Sequence, residues 1–221
     1  MTEAAVATTN GRIPRLGDIA PDFKANTTLG EITFSEWQKD NWVVLFSHPA
    51  DFTPVCSTEL TEFARRIAEF DKRKAKLIGI SIDSIHSHLA WTQNLEKILN
   101  VKIPYPLIAD LNTAVAQKFG MIHPGESETV TVRALFVIDP NRKIRAVIYY
   151  PLNVGRSVDE VLRLVDGLQT VDKHAVAVPV NWKPGDKVIV PAPKTENDVQ
   201  DRLKGNYEKI DFYLCKKELP V

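Results

Sequence analysis

Five short apolar runs rich in β-branched residues recur along this chain, and the segments between them change to a helical period. WVVLFS (Trp42 to Ser47), KLIGISID (Lys76 to Asp83), PLIAD (Pro106 to Asp110), ALFVID (Ala134 to Asp139) and IRAVIYY (Ile144 to Tyr150) read as strands. After Cys56, Leu60, Phe63, Ala64, Ile67, Ala68 and Phe70 fall on one helical face, with Glu62, Arg65, Arg66 and Glu69 opposite. A second helix is expected from about Ser84 to Ile98. Asn112 is expected to cap a third that runs through Phe119 and ends on Gly120. ALFVID and IRAVIYY, joined by the turn PNRK, form an antiparallel hairpin. Ser157 and Glu160 then make a capping box before a helix that carries Val158, Val161, Leu162, Val165 and Leu168 inward. Strands alternating with helices restrict the fold class to α/β.

Beyond about Ala175 the pattern lapses. VPVNWKPGDKVIVPAP is rich in proline and holds one short strand, Lys187 to Val190, after a Pro-Gly-Asp turn. The rest mixes charges with the aromatic knot Phe212-Tyr213-Leu214 and reads as a small docked extension without its own core. The expected organisation is a flexible arm over 1–14, a main domain over 15–174 and an extension over 175–221.

Charge excludes more than it assigns. With 28 basic and 28 acidic residues, nothing draws the whole chain towards nucleic acid or an acidic membrane. No apolar run reaches membrane-spanning length, and MTEAAVATTNG lacks the apolar centre of a secretory signal. Two cysteines, Cys56 and Cys215, do not make a disulfide framework, and a reducing, cytoplasmic location is expected.

Cys56 stands behind local punctuation. Thr53 suits an N-cap and Pro54 the first helical position, which puts Cys56 in the first turn, where free N–H groups and the helix dipole favour an anion. That dipole contributes only about 0.3–1 kcal/mol at an exposed site, too little alone to activate a thiol. The further charge expected is Arg133, which opens an apolar strand and must find a partner, with Glu59 steadying its guanidinium. Such surroundings lower cysteine pKa values to roughly 3.5–7.5. Residue types alone leave the bland readings standing: a lone core cysteine, an ordinary cap at Thr53, an Arg133 paired with any carboxylate, and a hydrogen-bonded His48 at a strand end.

Pro49, Thr53 and Cys56 fit P-x-x-x-T-x-x-C, and the stretch containing them, FSHPADFTPVCSTEL, resembles the peroxiredoxin 6 (one-cysteine) subfamily of peroxiredoxins. SIDS, HLAW, TVRALFVID, YYP, GRSVDE and NWKPGD extend the resemblance, in order, over nearly the whole chain after residue 15. It implies a thioredoxin-like fold, a central mixed sheet flanked by helices, and a thiol-dependent peroxidase that uses neither metal nor organic cofactor. Cys56 would attack hydrogen peroxide or an organic hydroperoxide and become a sulfenic acid. Thr53 and Arg133 would hold the peroxide oxygens, Pro49 would shield the sulfur, Glu59 would orient Arg133, and His48 would support the site.

The resemblance is closest to archaeal and related bacterial members with a C-terminal cysteine. It implies that Cys215, in FYLCKKELP, resolves the sulfenic acid of another subunit, with recycling by an external thiol or dithiol of the thioredoxin or glutathione type. It also implies a homodimer, with a decameric ring of dimers as a further level of assembly. Two alternatives stay open: direct recycling by an external thiol with Cys215 a bystander, and a non-enzymatic redox-regulated chaperone or signalling protein. The lipase element of some relatives is absent, since Asn41 stands at its serine and Ser35 at its histidine. Cys-Ser-Thr-Glu from Cys56 lacks the second cysteine of a disulfide reductase. His86 and His88, with no cysteine pair nearby, do not make a zinc site. A cysteine hydrolase would have only His48 nearby as its base.

Overall fold

The apolar runs become five adjacent strands of a seven-stranded sheet in a computed structural model that describes residues 13–220. Of the arm expected over 1–14, residues 1–12 lie outside the described residues. The chain forms two compact units, and the first ends at Val158. In chain order that unit holds β1 (Lys24–Thr27), β2 (Gly30–Thr33), α1 (Phe34–Gln38), β3 (Trp42–Ser47), α2 (Pro54–Arg65) and α3 (Ile67–Lys72). There follow β4 (Ala75–Ser81), α4 (Ile85–Leu99), β5 (Leu107–Ala109), α5 (Ala114–Lys118), β6 (Arg133–Ile138) and β7 (Ile144–Tyr150).

The sheet order is β2-β1-β5-β4-β3-β6-β7. Strands β3, β4 and β5 are parallel, whereas β6 pairs antiparallel with β3 and β7 with β6. Every residue of β3 and β6 is buried, which explains why both read as unbroken apolar runs. Val43, Leu45, Ile78, Ile80, Phe119, Ala134 and Phe136 belong to one core cluster. The sheet is mixed and flanked by helices, as the α/β reading requires.

Two local expectations need correction. The helix after Cys56 is not continuous: Arg66, at φ −101° and ψ 12°, separates α2 from α3 and resets the helical phase. Phe70 stays buried, while Ile67 is half-buried and Ala68 exposed. At α5 the N-cap position is Thr113, at φ +57°, and not Asn112. The Asp110 carboxylate takes the work expected of Asn112, accepting from the Val115 and Ala116 N–H groups at 3.0 and 2.7 Å. Asn112 accepts only from the Ala114 N–H, at 3.2 Å.

The second unit, from Asp159, contains most of α6 (Val158–His174), then β8 (Val188–Ile189), α7 (Glu196–Lys204), β9 (Glu208–Asp211) and β10 (Leu214–Lys217). Where one strand was expected there are three, in the order β8-β10-β9, together with a helix begun by a Thr195–Asp198 capping box. Val176, Trp182 and Val188 form a small core of its own, with Val178 and Leu219 against it. The expected strand is β8, and the other two hid from pattern reading because all four residues of β9 are exposed and only one of the four in β10 is buried. No helix among the described residues is long and apolar enough to cross a membrane.

Candidate active site

The turn from β3 into α2 supplies the thiol. Thr53 holds the N-cap position with extended backbone (φ −108°, ψ 148°), Pro54 follows at the first helical position, and Cys56 is the third helical residue. Thr53 starts the helix through its backbone, since its C=O accepts from the Ser57 N–H at 3.0 Å. Its hydroxyl does not cap, contrary to the N-cap reading; it donates to the Ala50 carbonyl at 2.8 Å. That bond uses the hydroxyl hydrogen and leaves oxygen lone pairs free. Pro49 is buried and Thr53 half-buried, and the Cys56 side chain has no solvent exposure.

Arg133 reaches Cys56 from β6. Its Nη1 lies 3.4 Å from the Cys56 Sγ and donates to Glu59 Oε2 at 2.6 Å. Nε and Nη2 both donate to the Leu152 carbonyl, at 3.0 and 2.6 Å, so the guanidinium is fixed along two edges. Ser47 continues the β3–β6 ladder by side chain: Oγ donates to the Val132 carbonyl at 2.6 Å and accepts from the Ala134 N–H at 3.0 Å. Thr131 Oγ1 donates to the His48 carbonyl at 2.9 Å. The segment bearing Arg133 and the strand end leading to Cys56 are thus bonded residue by residue.

Glu59 holds a second guanidinium that sequence reading did not assign. The backbone N–H and Nε of Arg156 both donate to Glu59 Oε1 at 2.8 Å, and Nη2 donates to Oε2 at 2.8 Å. Arg156 Nη1 donates to the Ala134 carbonyl, and its guanidinium lies 5.2 Å from the centre of the Phe46 ring. Burial alone would push the Glu59 carboxyl up; Arg156 first and then Arg133 outweigh it and hold the group below its ordinary range. Two guanidinium groups and one carboxylate sum to one positive charge. A thiolate at Cys56 would bring the charge of this buried cluster to zero.

A separate buried network lies in the same turn. Asp51 Oδ1 faces His48 Nε2 at 2.9 Å, and its Oδ1 and Oδ2 face His88 Nδ1 of α4 at 3.0 and 2.8 Å. His88 Nε2 faces the Ile108 carbonyl of β5 at 3.0 Å. Burial pushes the Asp51 carboxyl up, but the hydrogen bonds from His48 and His88 prevail and bring it to about 2. Burial pushes His48 below its ordinary value despite Asp51, and its Nδ1 is buried without a partner. His86, paired with His88 in the sequence reading, is exposed and apart from this network.

The structure therefore gathers Cys56, Glu59 and Arg133 into one contact cluster, with Thr53, Pro49 and His48 in the adjoining turn. Cys215 lies in β10 of the second unit, where it is fully buried and its Sγ–H is 3.3 Å from the Asp211 carbonyl. Both cysteines are free. Sequence reading missed Arg156, Asp51, His88 and the Leu152 carbonyl. The residues were in view, since GRSVDE contains Arg156 and HLAW begins with His88, but no local pattern pointed their side chains inward.

Comparison with known proteins shows the family. Residues 16–147 match the AhpC/TSA family, and residues 167–206 match the C-terminal domain of 1-Cys peroxiredoxin. A peroxiredoxin of Aquifex aeolicus is 52% identical over 217 residues, covering 94% of this chain and 98% of that protein. The structure of a yeast mitochondrial 1-Cys peroxiredoxin, whose thiol is resolved via glutathione/thioredoxin systems, superposes with a TM-score of 0.85 at 42% identity, covering 94% of this chain and 100% of that one. A cysteine-to-serine mutant of peroxiredoxin 6 from Arenicola marina gives 0.83 at 35% identity, covering 93% and 98%.

Proposed function

The chain belongs to the peroxiredoxin family and is a thiol-dependent peroxidase, and from that premise we propose that Cys56 is the thiol that attacks the peroxide and Cys215 the one that resolves the product. The observation that carries the first assignment is the Arg133 Nη1 to Cys56 Sγ contact at 3.4 Å inside a cluster with one uncompensated positive charge. The Cys56 thiolate attacks one peroxide oxygen: an S–O bond forms and the O–O bond breaks. The departing oxygen gains negative charge and leaves, with a proton, as water or an alcohol. Sulfur is oxidised to the sulfenic acid and the peroxide is reduced. Arg133 stabilises the charge on the oxygens, the free lone pairs of Thr53 Oγ1 accept the hydrogen bond of the peroxide O–H, Glu59 fixes Arg133, Pro49 keeps water from the sulfur, and His48 supports the turn.

In the second step the Cys215 thiolate of another subunit attacks the Cys56 sulfur, forming a disulfide and releasing water. A homodimer is part of this proposal, because cross-chain resolution needs a second chain. An external thiol or dithiol of the glutathione or thioredoxin type then reduces the disulfide. Two free thiols suit the cytoplasm, where we place the protein. The burial of Cys215 favours the second reading, in which the external thiol reduces the Cys56 sulfenic acid directly.

One experiment tests both assignments. Wild type, Cys56→Ser and Cys215→Ser are each given one equivalent of peroxide, and peroxide loss and a non-reducing gel are read together. Wild type should consume peroxide and yield a covalent dimer, Cys56→Ser should do neither, and Cys215→Ser should consume the first equivalent without the dimer. Peroxide turnover by Cys56→Ser at the wild-type rate sinks the first assignment. A covalent dimer in Cys215→Ser sinks the second.

A further inference from the structure

We infer that Asp51 and His88 are positioning residues of the peroxidase reaction, acting through one buried hydrogen-bonded chain that fixes the turn carrying Pro49 and Thr53. The inference rests on the assignment of Cys56 as the attacking thiol. It deepens that assignment by extending the site into α4 and β5.

Hydrogen accounting fixes the roles. His88 stands between two acceptors, the Asp51 carboxylate at 2.8 Å and the Ile108 carbonyl at 3.0 Å, so both of its ring nitrogens donate. His48 Nε2, 2.9 Å from Asp51 Oδ1, donates as well, leaving Nδ1 the bare nitrogen. On its other side the Asp51 N–H donates to Asp83 Oδ2 at 3.0 Å, the same oxygen that accepts from Ser81 Oγ at 2.6 Å. The turn from His48 to Thr53 is thereby tied to β4, β5 and α4, and the Thr131 hydroxyl on the His48 carbonyl adds the segment that leads into Arg133.

The bland alternative is that a buried ion pair merely holds α4 to the sheet. Two observations argue against it. A buried charged pair is a poor source of stability compared with apolar side chains of the same volume, so its retention at 0% exposure for both histidines calls for another use. Phe52, in the middle of the turn, has φ +55°, a left-handed conformation that a bulky residue adopts only where surrounding structure over-determines it. The chain from Ile108 to Asp51 supplies that constraint one residue away. Pro49 and Thr53 lie two residues on either side of Asp51, so a shift of its carboxylate displaces both.

The test compares two reactions of the same sulfur in the full-length reduced protein. Peroxide attack needs the turn in place to hold the peroxide oxygens, whereas alkylation of Cys56 by iodoacetamide needs the thiolate and access to it but no peroxide-binding geometry. Asp51→Asn and His88→Gln should each slow the peroxide reaction by at least about tenfold, the scale expected when reacting groups are misplaced by a fraction of an ångström to 1 Å. Alkylation should stay within about twofold of wild type, and the double variant should lose no more than the worse single one. Wild-type peroxide rates in either folded variant overturn the inference, as does an equal fall in both reactions. If neither variant folds, the wild-type protein labelled with 15N-histidine decides. His88 should show N–H on both ring nitrogens and His48 on Nε2 alone; a single N–H on His88 overturns the inference. Failure of the underlying assignment looks different, because it appears as peroxide consumption by Cys56→Ser.

Discussion

Glu59 is the residue on which the site's charge turns. It is the one carboxylate between Arg133 and Arg156, and all three are buried. Two substitutions should separate charge from packing. Arg156→Met keeps an unbranched side chain over Phe46 but leaves Arg133 and Glu59 mutually neutralised, so a thiolate becomes an excess buried negative charge. Alkylation of Cys56 at neutral pH should then slow markedly. Glu59→Gln does the reverse: two guanidinium groups face the sulfur, Arg133 remains anchored on the Leu152 carbonyl, and alkylation should not slow. That variant should instead lose about 3–5 kcal/mol of stability, the usual cost of breaking a buried pair from one side. Denaturant midpoints and alkylation rates on the same preparations check both. Slower alkylation in Glu59→Gln than in Arg156→Met would refute the charge argument. The sequence disclosed Arg133 because a cation in an apolar strand must be paired. It hid Arg156, which follows a glycine in a polar turn where an arginine is ordinarily solvated. Asp51 was hidden for a similar reason: PADF reads as a turn, and its partner His88 is 37 residues away.

At the scale of elements, the centre of the sheet leaves no room for growth. Gly79 of β4 pairs with Phe46 on one side and Leu107 on the other. A Cβ there would fall 2.6 Å from Leu107 Cδ2 and 3.5 Å from the Phe46 ring. Leu107 has no exposed surface into which to retreat. Gly79→Ala should therefore lower stability by about 1–3 kcal/mol, as overpacking of a close-packed core does. Read as a denaturant midpoint, an unchanged value would show that the strands separate more easily than this packing implies. The same double-sided burial made β3, β4 and β6 legible in the sequence, because a strand covered on both faces leaves an unbroken apolar run. Boundaries set by a single side chain were less legible. The break at Arg66 and the transfer of the α5 cap from Asn112 to Asp110 turn on backbone conformation, φ +57° at Thr113 in the second case, which residue propensity does not give. Strand β8 was legible within Lys187 to Val190, whereas β9 and β10 were not, since short strands with few buried residues carry no apolar alternation.

For the molecule as a whole, three buried groups, His48, Asp51 and Glu59, make acid the destabilising direction. His48 lies below its ordinary value of 6.5 in the folded chain, so on acidification the unfolded chain takes up that proton first. Stability should begin to fall below pH 6.5, with a slope of at most about 1.4 kcal/mol per pH unit for a single proton. Asp51 and Glu59 are depressed from 3.8 and 4.5, so their contributions are complete above those values and vanish as pH falls through the folded ones. For Asp51, which descends to about 2, the contribution is about 2 kcal/mol. The charge balance of 28 basic and 28 acidic residues adds to the second loss, because protonated carboxyls leave the positive charges to repel one another. In denaturant unfolding followed by circular dichroism, the contribution of these three groups is level from pH 8 to about 6.5, declines gently, then falls steeply below about pH 4.5. His48→Gln, whose amide can still donate to Asp51, should remove the gentle decline and leave the steep one. Wild-type stability that rises relative to His48→Gln between pH 7 and pH 5 would mean that His48 gains its proton more readily in the folded chain than in the unfolded one. The buried Asp51 network would then have to be rebuilt around a charged His48.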